Sequence, residues 1–183
     1  MKKKVQKNEN RRKYMLRGIL TACVIAWMVV IFCFSAQPDV ESSEISGSVS
    51  YRIVECYNRI AHKNMTQTDM QVQAKRIEYP VRKLAHMSEY GILSLLFLAM
   101  YFSYSKKTYS RKKLKSLALF SLLSTAAYAG TDEFHQLFVP GRAGRVTDVL
   151  IDSCGAVIAL LFAGILVAII NKNRYNRNTV RFR

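Results

Sequence analysis

Between Thr131 and Arg142 the chain reads TDEFHQLFVPGR, which places Asp132, Glu133, His135 and Arg142 directly after an apolar run. Two more groups of ionisable residues hold comparable places: His86 and Glu89 open one apolar stretch, and Asp148 and Asp152 open another. His86 and Glu89 are three apart, as are Asp132 and His135, and Asp148 and Asp152 are four apart, so on helices each pair shares a face. Three chemistries fit. Arg142, Arg145 and Lys83 suit a phosphate or carboxylate, because cationic donors make charge-assisted hydrogen bonds to anionic oxygens. His86, Glu89, Asp132, His135 and Asp152 have the ligand types for a divalent metal that activates water against a lipid-linked phosphate or ester, although no tight H-x-x-x-H pair accompanies them. The same groups also suit a buried network that fixes helix register, with function in recruiting another membrane protein.

The elements that must position these residues are hydrophobic. The 183-residue chain is 50% hydrophobic yet carries a formal charge of +16, a basicity that in a soluble domain points to nucleic acid. Here charge and apolar residues are segregated. Residues 18–34 hold no charge and are long enough to cross the hydrocarbon core at about 1.5 Å per residue. Further spans are expected over 84–104, 114–134 and 147–170, with no internal repeat. The expected fold is an all-α integral membrane protein. Four transmembrane helices form a bundle, with an amphipathic helix in the loop 35–83 and a short re-entrant-like loop before the last span. The membrane domain is 18–170, with basic tails over 1–17 and 171–183.

Eight Lys or Arg precede the first span, six lie in the loop before the third and five follow Ile170, against nine in the other two connections. The positive-inside rule then makes both termini cytoplasmic, despite the local concentration of Lys75, Arg76, Arg82 and Lys83 on the outer side. Topology and anionic lipid account for the basic tails, so membrane lipid, not nucleic acid, is the expected partner. No clean A-x-A site follows the first span, and too few residues separate Arg17 from Cys23 for a lipoprotein box. Cys23 is therefore expected as a buried helix residue. With Cys33 and Cys154 in spans and Cys56 in the outer loop, no disulfide framework is expected.

The outer loop, about fifty residues, is too short for a separate enzyme domain with a large core. Ile45, Val49, Ile53, Val54, Tyr57 and Ile60 recur at helical spacing, predicting a helix that lies on the membrane surface or lids the bundle. Asp148, at the start of the last span, is where the helix dipole stabilises a carboxylate by about 0.3–1 kcal/mol. Asp132 and Glu133, at a C-terminal end, need Arg142, Arg145 or a bound cation to offset them. Val139-Pro140-Gly141-Arg142 reads as a tight turn with Gly141 at positive φ. It folds the loop back as a cap over a polar pocket, dipping Phe134, Leu137, Phe138 and Val139 into the interface. Trp27 is expected to pack mid-span, Tyr101 and Tyr104 to form an aromatic belt, and Gly155 and Gly164 to be close-packing points.

FSAQP at the end of the first span, KLAHMSEYGIL opening the second, YAGTDEFHQLFVPGR ending the third and TDVLIDSCGA opening the fourth resemble, in order and interval, the motif series of the VanZ-like family of bacterial membrane proteins. The outer loop and both tails carry no such resemblance. The resemblance implies a cell-membrane protein contributing to low-level resistance to teicoplanin, a lipid-tailed glycopeptide. It also implies that the family's polar positions fall on Gln37, Lys83, His86, Glu89, Tyr90, Asp132, Glu133, His135, Gln136, Arg142, Asp148 and Asp152. Together with Arg145 these residues make an outer-leaflet pocket for a lipid headgroup or amphiphilic ligand the leading expectation. No catalytic residue is assigned, and no cofactor is expected outside the metal alternative.

Overall fold

The computed structural model describes residues 2–105 and 110–180. They form five helices: α1 (Lys2–Ser35), α2 (Asp39–Ala61), α3 (Gln67–Tyr104), α4 (Arg111–Gln136) and α5 (Val146–Val180). Each expected span lies inside a helix, α1, α3, α4 or α5. Lys106 and Lys107 of the expected basic loop, and Arg181 and Arg183 near the C-terminus, lie outside the described residues.

α3 is the central element and packs against each of the other four helices. Cross-links at its two ends fix the directions. At one end Arg17 Nε donates to Ser103 O at 3.1 Å and the Thr21 and Tyr104 hydroxyls lie 3.3 Å apart, so the start of the α1 span meets the end of α3. At the other end Ser35 bonds Asp132, joining the C-termini of α1 and α4, while Lys83 pairs with Asp148 at the start of α5. Hence α1 and α4 run one way and α3 and α5 the other. Val24, Ile31, Tyr90, Leu93, Phe97 and Ala129 form the buried core between them. Trp27 packs on this core, as expected, and its indole N–H donates to Glu89 O at 2.9 Å.

Close approach of α3 and α5 depends on glycine. A Cβ on Gly155 would lie 2.1 Å from Met87 O, so any side chain there would force the helices apart. Gly164 meets nothing within 4 Å, which corrects the expectation that it too is a packing point.

Among the described residues three helical segments are long and apolar enough to cross a membrane: Gln6–Ser35, Gln67–Tyr104 and Val146–Lys172. α4 is not one of them, because Ser116, Ser121, Ser124, Thr125, Thr131 and two carboxylates dilute its apolar run. Outside the bundle Ile25, Val29, Phe120, Ile158, Phe162 and Ile165 are exposed. Helices that are apolar outside as well as inside have hydrocarbon as their solvent, and the chain is an all-α membrane protein. Cys23 is exposed on that outer surface, not buried, and all four cysteines are free.

The loop expected over 35–83 is largely helical. α2 packs on the first half of α3, which starts at a capping box: Thr66 Oγ1 accepts from Asp69 N at 3.2 Å and Asp69 Oδ2 accepts from Thr66 N at 3.1 Å. α3 then continues through Pro80. The expected amphipathic helix is present, but the face it buries is Ser46, Ser50 and Val54. Ile45, Val49, Ile53, Tyr57 and Ile60 stay exposed.

Candidate functional site

At the Asp132 end of the bundle a carboxylate ties three helices together. Asp132 Oδ2 accepts from the Ser35 hydroxyl of α1 at 2.8 Å, the Tyr90 hydroxyl of α3 at 2.9 Å and the Gln136 amide of α4 at 3.2 Å. Glu133 Oε2 accepts from the backbone N–H of Arg145 at 2.8 Å, and its Oε1 from Gln136 at 3.3 Å. Neutral hydroxyl, amide and backbone groups supply the hydrogen bonds to these acids, while the Arg142 charge is near enough to interact with both, as expected. Asp132 Oδ1, Glu89 Oε2 and His135 Nδ1 are buried with no hydrogen bond among the described residues.

The loop after α4 turns as expected. Arg142 N donates to Val139 O at 3.1 Å and Gly141 has φ +77°, the left-handed conformation that favours glycine. Val139 is buried, whereas Phe134, Leu137 and Phe138 are exposed. Gly144 is a second requirement, since a Cβ there would lie 2.2 Å from Glu133 O.

The turn delivers Arg142 to the end of α1. Its Nε donates to Gln37 O at 3.1 Å and its Nη2 to Phe34 O at 3.3 Å, so the guanidinium caps a helix C-terminus, where the dipole favours a cation. Burial lowers its pKa, and Arg82 nearby adds to that, while Asp39, Asp132 and Glu133 oppose it. Among the described residues it forms no ion pair with a carboxylate.

Two cavities of about 220 Å³ each adjoin this arginine. The first is polar, and its lining includes Lys83, Glu133, Gln136, Arg145, Asp148 and Asp152. The second lies between the end of α1, α2 and α3, with Gln37 and Glu89 among apolar side chains. Arg82, His86 and Arg142 line both. The shared wall sets them side by side, and each alone falls short of the roughly 300–1,000 Å³ of a small-molecule pocket.

The family model described as VanZ/LLP1 matches residues 20–167, most of the chain. The chain belongs to the VanZ/LLP1 family. No curated protein matches it, and no solved structure does.

The matched segment of this VanZ/LLP1 chain includes every expected site residue, and the fold sorts them into three groups. Gln37, Lys83, His86, Glu89, Glu133, Gln136, Arg142, Arg145, Asp148 and Asp152 line the cavities. Tyr90 and Asp132 are buried in the helix junction behind them. His135 turns toward α1, its ring 4.5 Å from that of Phe32, and lines neither cavity. Same-face spacing placed Asp148 with Asp152 in one cavity, and it also set His86 Nδ1 3.7 Å from Glu89 Oε2. It did not unite Asp132 with His135.

Lys83, expected as an anion partner, is instead paired with Asp148 at 2.7 Å, and the two side chains are 19% and 20% exposed. Three residues of the VanZ/LLP1 site were not anticipated. Ser35 stands within the FSAQP motif, which offered a signal for it. Arg82 reaches Asp39 at 2.7 Å, Glu78 at 3.3 Å and the Ser43 hydroxyl, clamping α2 to α3. Neither Arg82 nor Asp39 was distinguishable by spacing, because they are 43 positions apart.

Proposed function

We propose that this protein spans the bacterial cell membrane four times, with both termini cytoplasmic, and uses the two-compartment site at the outer face to bind the anionic headgroup of a lipid or other amphiphile. The antiparallel order of α1, α3, α4 and α5 supports four passes, as does the outward apolar set Leu119, Phe120 and Leu123 on α4. The first half of α1 and the start of α4 lie at the Tyr104 end, away from the site, which supports cytoplasmic basic segments under the positive-inside rule.

The observation that carries the headgroup reading is Arg142. It is held in place by two backbone carbonyls, among the described residues it forms no ion pair with a carboxylate, and it lines both cavities. Lys83 and Arg82 are engaged by Asp148, Asp39 and Glu78, so Arg142 is the cation available to a ligand oxygen, with Arg145 beside it. Asp132, Tyr90, Ser35 and Gln136 serve as the frame that positions the wall. The metal-assisted alternative ranks below this reading, because among the described residues no three His, Cys, Asp or Glu side chains are placed to hold a metal ion.

Tolerance of teicoplanin is the cellular outcome we assign to this binding. The test compares susceptibility to teicoplanin and vancomycin in cells lacking the protein, or expressing wild type or Arg142→Gln at matched membrane levels. Wild type is expected to raise tolerance of the lipid-tailed drug alone and Arg142→Gln to abolish the gain. The same susceptibility in all strains would sink the assignment.

A further inference from the structure

The second cavity has a wall that a headgroup does not need. Phe34 of α1, Ile45 and Val49 of α2, and Val81 and Ala85 of α3 line the cavity together with Arg82, His86, Glu89 and Arg142. Ile45 and Val49 also begin the exposed row that continues through Ile53 and Tyr57 to Ile60. α2 turns its small polar face, Ser46 and Ser50, to α3 and leaves this apolar row beside the cavity mouth. At about 1.5 Å per residue the row from Ile45 to Tyr57 runs ~18 Å.

We propose that this cavity and the α2 row seat the hydrocarbon chain of an anionic amphiphile, the same molecule whose headgroup meets Arg142. The inference rests on the headgroup reading and adds the chain. Two features choose an amphiphile as the occupant. The apolar side chains share the cavity with Arg142, which among the described residues forms no ion pair with a carboxylate, and that complements a chain ending in an anion. The apolar cavity also shares Arg82, His86 and Arg142 with the polar one, so the arginine that meets the headgroup borders both.

The test uses the full chain in nanodiscs and a series of methyl, butyl, octyl and decyl phosphates. Equilibrium dialysis measures their binding, with protein-free nanodiscs as the baseline for partition into lipid and Arg142→Gln nanodiscs to show which part of the binding depends on Arg142. Affinity above that baseline is expected to rise roughly two- to fourfold for each methylene that the wall covers. Ala85→Phe, which fills the groove from its partly open side, is expected to weaken decyl phosphate at least tenfold and leave methyl phosphate unchanged.

A flat series with Arg142-dependent methyl phosphate binding would overturn the chain seat and leave the headgroup reading standing. Loss of Arg142-dependent binding throughout would overturn both. Undiminished decyl phosphate binding in Ala85→Phe would overturn the chain seat, as would a halving of particle mass by Val49→Asn, which would make the row a seam between copies.

Discussion

Tyr90 donates its hydroxyl to Asp132 Oδ2 at 2.9 Å, and both side chains are almost wholly buried. With Ser35 bonding the same oxygen, one carboxylate joins α1, α3 and α4. Removing a donor and removing the acceptor are therefore unequal. Tyr90→Phe leaves Asp132 with two donors, whereas Asp132→Leu strands the Ser35 and Tyr90 hydroxyl donors, the Gln136 amide keeping Ser35 Oγ and Glu133 Oε1 as acceptors. Each buried group left without a partner costs roughly 1–3 kcal/mol. Asp132→Leu is expected to reduce the protein in the membrane, by immunoblot, well below Asp132→Asn, whose amide oxygen still accepts. Equal levels for the two variants would contradict the junction.

Gly155 and Gly164 lie on the same helix and differ only in what faces them. Gly155→Ala pushes a methyl group into the Met87 carbonyl and is expected to lower stability by at least the ~1–3 kcal/mol of an overpacked core. Gly164→Ala meets open space and is expected to be neutral or to stabilise the helix by up to about 1 kcal/mol. Thermal unfolding in detergent checks both, and equal midpoints for the two variants would refute the glycine contact.

Much of this architecture was legible from residue types. Hydrophobic runs bounded by charge marked the spans, and Pro140-Gly141 marked the turn, because only certain residues accept those conformations. The α2–α3 hairpin was partly legible: periodicity found α2, but the face it buries is set by contacts of Arg82 with Asp39 and of Glu78 with Ser46, partners far apart in sequence. A pattern of apolar residues cannot show that Ser46 and Ser50 are the ones facing a neighbouring helix. The acids were grouped correctly by place along the spans. The division between framework (Asp132, Tyr90) and cavity lining (His86, Asp152) depends on which way each helix is rotated, which spacing within one helix leaves open.

Lys83 and Asp148 offer a test of how the polar cavity is closed. Their 2.7 Å contact links α3 to the first turn of α5 in a place only one-fifth exposed. In a double-mutant cycle of Lys83→Met and Asp148→Asn, read as unfolding free energy, the pair is expected to show a coupling of about 1–3 kcal/mol. A coupling near zero would mean that the pair does not hold the cavity wall.

The most direct test of the headgroup site is the affinity of the full chain for dihexanoyl phosphatidic acid and for dihexanoylglycerol, which lacks the phosphate. Wild type, Arg142→Lys and Arg142→Gln are compared at matched thermal stability. Arg142→Gln is expected to weaken the phosphatidic acid roughly 10- to 100-fold, the value of a hydrogen bond to a charged group, with Arg142→Lys between the two and dihexanoylglycerol unchanged. Phosphatidic acid bound equally well by wild type and a folded Arg142→Gln would contradict the claim that this arginine receives the ligand.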